Sequence, residues 1–130
     1  MGLLDLSLTV HARGDAPPEV VWERYADLRR WPQWSAQITD VEATGPTLKT
    51  GLTGKVVGPL GITVPFTVTE VGIRSWTWEV HPMGTRLHLD HRVLPYGGGA
   101  ETELRIKGPA PVVVAYAPFA KLALRRLVTW

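Results

Sequence analysis

Between Ile38 and Lys107 the chain never pauses long enough for a crossover. Six candidate strands fill the interval: 38–44, 51–58, 62–72, 75–82, 86–95 and 101–107. The separators are Gly45-Pro46, Gly58-Pro59-Leu60-Gly61, Gly72, Pro82-Met83-Gly84 and Gly97-Gly98-Gly99, all turn formers. A parallel neighbour needs a connection of about a dozen residues or more. The pattern therefore specifies an antiparallel meander, each strand beside the last.

The flanks complete the plan. Leu4, Leu6, Leu8, Val10 and Ala12 share one parity, and Asp5, Ser7, Thr9, His11 and Arg13 take the other, which marks a half-buried strand. In "GDAPPEVVWERYADL" two prolines suit a helix start, where missing N–H groups cost nothing. Val21, Trp22, Tyr25 and Leu28 then share a helical face. A second short helix is expected from Pro32, because a residue before proline, here Trp31, is steered out of the α region. A long helix should run from Pro111 to Trp130. Its inner side carries Val112, Val113, Tyr116, Phe119, Ala120, Ala123, Leu124, Leu127 and Trp130, and its outer side Pro118, Lys121, Arg125 and Arg126. Pro118 removes the bond to the Val114 carbonyl and should kink that helix. The architecture that satisfies this order is α+β: a curved seven-stranded antiparallel sheet with two short helices after strand 1, wrapping a long C-terminal helix. Such a sheet leaves an internal cavity. One domain spans 1–130.

At 130 residues, 45% hydrophobic and 20% charged, the chain is globular and buries roughly two-thirds of its unfolded surface. The absence of cysteine excludes disulfides, thiolate metal sites and a cysteine nucleophile, and fits a reducing, cytoplasmic setting. "MGLLDLSLTVHARG" lacks the basic start and unbroken apolar run of a secretion signal. No run of about 18 uncharged apolar residues exists, so stable membrane insertion is not expected. The net charge is only +2 and the basic residues are scattered, apart from Arg29/Arg30 and Arg125/Arg126. A nucleic-acid partner is not expected, for want of a clustered basic face.

Three stretches carry a resemblance. "APPEVVWERYADLRRWPQW" (Ala16 to Trp34) joins a small residue and proline, an acidic residue, a Val-Trp pair, an aspartate and an aromatic-proline-x-Trp step. "TVTEVGIRSWTWEV" (Thr67 to Val80) and "LHLDHRVLPYGGGAETELRIKG" (Leu87 to Gly108) follow. In this order of elements the chain resembles the helix-grip, START-like superfamily (SRPBCC) of START lipid-transfer domains, birch-pollen allergens and polyketide cyclases. It is most similar to the small bacterial polyketide cyclase/dehydratase-like branch. The resemblance implies the helix-grip fold; it leaves activity open, since the group spans carriers, receptors and enzymes.

Strand parity lists the residues facing inward. Ile62, Val64, Phe66 and Val68 share a face; so do Trp76, Trp78 and Val80; Leu87, Leu89, His91 and Val93; and Thr102, Leu104 and Ile106. The expected ligand-binding residues are Trp34, Phe66, Trp76, Trp78, Leu89, His91, Thr102, Leu104, Tyr116 and Ala120. His91 is the one histidine on an apolar parity. It is a core histidine satisfied by a neighbour, a ligand contact, or an acid–base group. Tyr116 either reaches a ligand or caps a small polar network. His88, Asp90 and Arg92 face outward and read as a solvated sheet face, so no metal site and no cofactor are expected. "YGGGAE" (Tyr96 to Glu101) joins two strands and reads as a hairpin, not a phosphate loop. Leu60, on a turn tip, folds back onto the core, flanks an entrance or touches a membrane. In "RRWPQWS" (Arg29 to Ser35), Trp31 should wedge where helix one ends and Trp34 should face the interior.

Three functions compete. The first is binding of a lipophilic or aromatic small molecule in the apolar cavity, a reading that a cavity closed to a few tens of Å³ would sink. The second is a cofactor-independent polyketide cyclase, aromatase or dehydratase, with His91 and Tyr116 as the catalytic residues handling protons on a polyketide-like substrate. The third is a ligand-free interaction module, a homodimer through its open sheet edge or Leu60.

Overall fold

A computed structural model describes residues 4–130. β1 (Asp5–Gly14) leads into α1 (Pro18–Ala26), a 3-10 turn (Leu28–Arg30) and the one-turn α2 (Trp31–Trp34). Then come β2 (Asp40–Ala43), β3 (Thr53–Val57), β4 (Thr63–Gly72), β5 (Ser75–Val80), β6 (Leu87–Tyr96) and β7 (Gly99–Pro109), and finally α3 (Ala110–Val128). The sheet order is β1-β7-β6-β5-β4-β3-β2. Thus β2 to β7 form the meander, and the first strand closes against the last.

The alternation reads through into burial on β5, β6 and β7, where every residue named above as inward is buried. β4 departs from it. Val68 lies opposite Trp78 but Val71 lies opposite Trp76, with a register shift between Val68 and Glu70. The extra residue is a bulge that flips parity, so Phe66, Val68 and Val71 all lean on the core side. Ile62 does not face inward: it lies in the turn before β4 and is exposed.

α3 buries Val113, Ala120, Ala123, Leu124 and Leu127, with Tyr116 half-buried. Phe119 and Trp130 do not join them; both are exposed. Phe119 stands about 100° around the helix from Ala120, and Trp130 lies beyond the helix end. The helix passes through Pro118 as one element.

The end of α3 is locked to β1. A side chain on Gly14 would run into the Val128 backbone, and one on Gly99 into the Gly14 backbone. The Ala16 N–H donates to the Val128 carbonyl at 3.0 Å. Arg24, from α1, donates to the carbonyls of Leu127 and Thr129, both at 2.7 Å.

The β6–β7 connection is a two-residue hairpin turn, Gly97-Gly98, with Gly97 at φ 56°. Two other turns match each other: Pro59-Leu60-Gly61 and Pro82-Met83-Gly84 place Leu60 (φ 63°) and Met83 (φ 49°) in the left-handed region. Both side chains are almost fully exposed, so Leu60 does not fold back.

Candidate functional site

"RRWPQWS" supplies the plug of the grip. Asp27 caps the 3-10 turn by accepting from the Arg29 N–H at 3.1 Å, and its carboxylate pairs with the guanidinium groups of Arg29 and Arg30. The hydrogen bond from Arg29 holds that carboxyl below its ordinary range. α2 begins at Trp31 and not at Pro32, and Trp31 adopts α-region angles (φ −56°, ψ −41°) despite the following proline. Packing outweighs the local preference here. Trp31 is 1% exposed, its indole N–H donates to the Tyr25 carbonyl at 2.8 Å, and its backbone N–H closes the turn on Leu28. Trp34 donates its indole N–H to the Arg24 carbonyl at 3.0 Å.

Rings then fill the grip. Trp31 stacks on Trp76 (5.6 Å, 27°) and meets Trp78 edge-on at 5.2 Å. His91 also lies flat on Trp76, 3.8 Å away and 5° from parallel. Tyr25 meets Trp34, Trp76 and His91 edge-on, each within 5.5 Å. What remains is a hollow of about 40 Å³, room for a water or two. The open internal cavity expected from the sequence is therefore absent from this conformation, which as it stands could not house a lipophilic guest. Parity identifies which residues face inward, but it cannot say how much volume their rings leave.

Seven of the expected residues border this hollow: Trp34, Trp76, Trp78, His91, Leu104, Tyr116 and Ala120. Phe66, Leu89 and Thr102 do not. Phe66 sits behind Trp31 and Trp78, Leu89 is fully buried opposite Trp78, and the Thr102 hydroxyl is spent elsewhere. The hollow also takes in Tyr25, placed by sequence on the shared face of helix one, Trp31, read as a wedge, and Ser35, Ile38, Ala123 and Leu124. Helical spacing from Ala120 could have added the last two; no sequence signal marks Ser35 or Ile38.

Proton positions follow from partners. The Thr102 hydroxyl lies 3.2 Å from the Arg92 carbonyl and 2.7 Å from the Tyr25 hydroxyl. A carbonyl only accepts, so Thr102 donates to Arg92 and Tyr25 donates to Thr102. Burial pushes the Tyr25 phenol well up. His91 Nδ1 is 3.1 Å from the Trp76 carbonyl, so Nδ1 carries the proton and Nε2 is the acceptor. Burial pushes the His91 imidazole down to about 3, so it is neutral near pH 7. Burial also pushes Tyr116 up to about 12. The indole N–H groups of Trp76 and Trp78 are buried without a partner. Each such orphan costs about 1–3 kcal/mol. The wall thus consists mainly of neutral aromatic rings, with His91 and Tyr116 both uncharged near pH 7. It is better equipped to orient a guest than to move protons. Among the described residues no group of three or more His, Asp or Glu side chains could hold a metal ion. His88 and Asp90 (3.3 Å apart) lie on the outer sheet face.

The seven-stranded antiparallel sheet, the plug helices and the long closing helix define a helix-grip protein of the START-like class. The chain belongs to the polyketide cyclase/dehydrase and lipid transport family, whose model matches residues 5–130. Solved structures share the fold at low identity. Protein MLL2253 from Mesorhizobium loti aligns with a TM-score of 0.74 and 12% identity over 94% of this chain and 96% of that one. Ara h 8.0201 aligns at 0.70 and 11% over 92% and 95%. DynU16, of the dynemicin biosynthetic locus, aligns at 0.71 and 18% over 93% of this chain but 46% of that one. No curated protein matches the chain. Family and fold fit hydrophobic ligand binding or polyketide cyclase-type function. Among the described residues no helix is long and apolar enough to cross a membrane.

Proposed function

We propose that the protein binds a lipophilic or aromatic small molecule between α2, α3 and the sheet, and that the hollow of about 40 Å³ is the closed state of that site. The observation that carries this reading is the wall of aromatic rings, Trp31, Trp34, Trp76 and Trp78 with Tyr25, around a hollow between the plug and α3, within which the indole N–H groups of Trp76 and Trp78 are buried without a partner. A ligand with one acceptor oxygen would relieve an orphan and bury its own apolar surface. Catalysis by His91 is the weaker reading. An imidazole pushed down to about 3 is a poor general base near neutrality.

Native mass spectrometry of freshly purified protein and titration with a neutral aromatic dye, N-phenylnaphthylamine, test this. The expected result is a bound small molecule, or tryptophan quenching with a raised melting temperature. Ala120→Leu, which fills the hollow, should weaken dye binding at least about tenfold while the fold persists. No bound molecule, no quenching and no thermal shift would refute the proposal.

A further inference from the structure

Outside the plug, a surface cleft of about 410 Å³ is lined by Arg24, Gln33, Trp34, Arg125, Arg126 and Trp130. No Asp or Glu side chain lines it. The two arginine pairs of this chain differ sharply. Arg29 and Arg30 are answered by Asp27. Arg125 and Arg126 have no carboxylate within ion-pair distance among the described residues. A helix C-terminus favours nearby positive charge, but Arg24 already supplies it through two hydrogen bonds to the Leu127 and Thr129 carbonyls. Arg125 and Arg126 are surplus to that need. Trp34 borders both this cleft and the interior hollow, so one indole separates a cationic exterior from an aromatic interior.

We infer that the cleft holds the anionic head of an amphiphilic ligand whose apolar part enters past Trp34. This rests on the ligand-binding reading and narrows its substrate class to molecules with a carboxylate, sulfonate or phosphate at one end. Guanidinium forks match such oxyanions. Trp130, exposed at the rim, offers a face to the part of the guest that stays outside.

Two dyes separate the ideas: anilinonaphthalenesulfonate, which is anionic, and N-phenylnaphthylamine, its neutral counterpart. Both accept energy from tryptophan. The wild type should bind the sulfonate more tightly, less so as salt rises, and each dye should displace the other. Arg125→Ala/Arg126→Ala should weaken the sulfonate by about fivefold to tenfold and leave the neutral dye unchanged. Arg86→Ala/Lys107→Ala, which removes equal charge from the outer sheet face, should change neither. Unchanged sulfonate affinity in the arginine variant, equal loss for both dyes, or failure of the dyes to compete overturns the inference while leaving ligand binding intact. If the wild type binds neither dye, this inference falls; if in addition no molecule co-purifies, the ligand-binding reading falls with it.

Discussion

Acid should unfold this protein through His91, and the size of the effect follows from its place in the core. The ring is 6% exposed and flat against Trp76, and its pKa falls from 6.5 to about 3. The folded state therefore excludes a proton that the unfolded chain accepts. Above pH 6.5 both states are neutral at this site and the full stability is present. Below it the unfolded state binds the proton first, and stability falls as the pH approaches 3. Over that interval the slope approaches about 1.4 kcal/mol per pH unit. From pH 7 the loss reaches about 2 kcal/mol at pH 5 and about 3 at pH 4 for a shift of this size. His91→Phe keeps a flat ring against Trp76 and cannot titrate. At pH 7 it should cost about 1–3 kcal/mol, because the Trp76 carbonyl loses its donor. Near pH 4 the variant should match or overtake the wild type. Urea unfolding of both proteins from pH 7 to 4 gives the difference curve, in which shared carboxylates cancel. A flat difference, or an NMR titration placing His91 above about 5, would refute the argument and restore His91 as an acid–base candidate.

Other tests address the frame around the site. Thr102→Val should destabilise by about 1–3 kcal/mol in urea unfolding, more than Tyr25→Phe, because it strands the buried Tyr25 donor; the reverse order would mean the protons run the other way. Arg24→Met should cost about 2 kcal/mol and speed amide exchange at Val128 and Thr129, since two carbonyls at the end of α3 lose a charged donor. Gly14→Ala should lower the melting temperature by roughly 5 °C or more, because the new methyl meets the Val128 backbone.

The fold was legible because turn residues and strand parity are local signals. Trp76, Trp78, Leu104 and Ile106 could be placed facing inward from their neighbours alone. Three things were not local. The bulge after Val68 needs the register of β5 to be seen, since only pairing shows that Val71 lies opposite Trp76. The helical backbone of Trp31 is imposed by the rings around it, against the preference set by Pro32. The volume of the hollow depends on how six-membered and indole rings interleave, which no one-dimensional pattern encodes. Thr102 makes the same point for polar groups. Its inward parity was readable, but its commitment to Tyr25 crosses 77 positions of sequence.

The pairing of β1 with β7 sets a schedule for biosynthesis. Gly14 lies opposite Ala100 and Asp5 opposite Pro109, so the first strand emerges from the ribosome long before its partner exists. At about 5–20 residues per second, that wait is roughly five to twenty seconds. Throughout it Leu6, Leu8 and Val10 are held on a strand with neither a neighbour nor the helix that will cover them. The meander can zip strand by strand as it appears, but the grip shuts only when α3 arrives to meet Gly14. Quality control in the cell would therefore meet this protein as a nearly finished sheet with a loose leading edge, and a translational pause after Lys107 would prolong that vulnerable form.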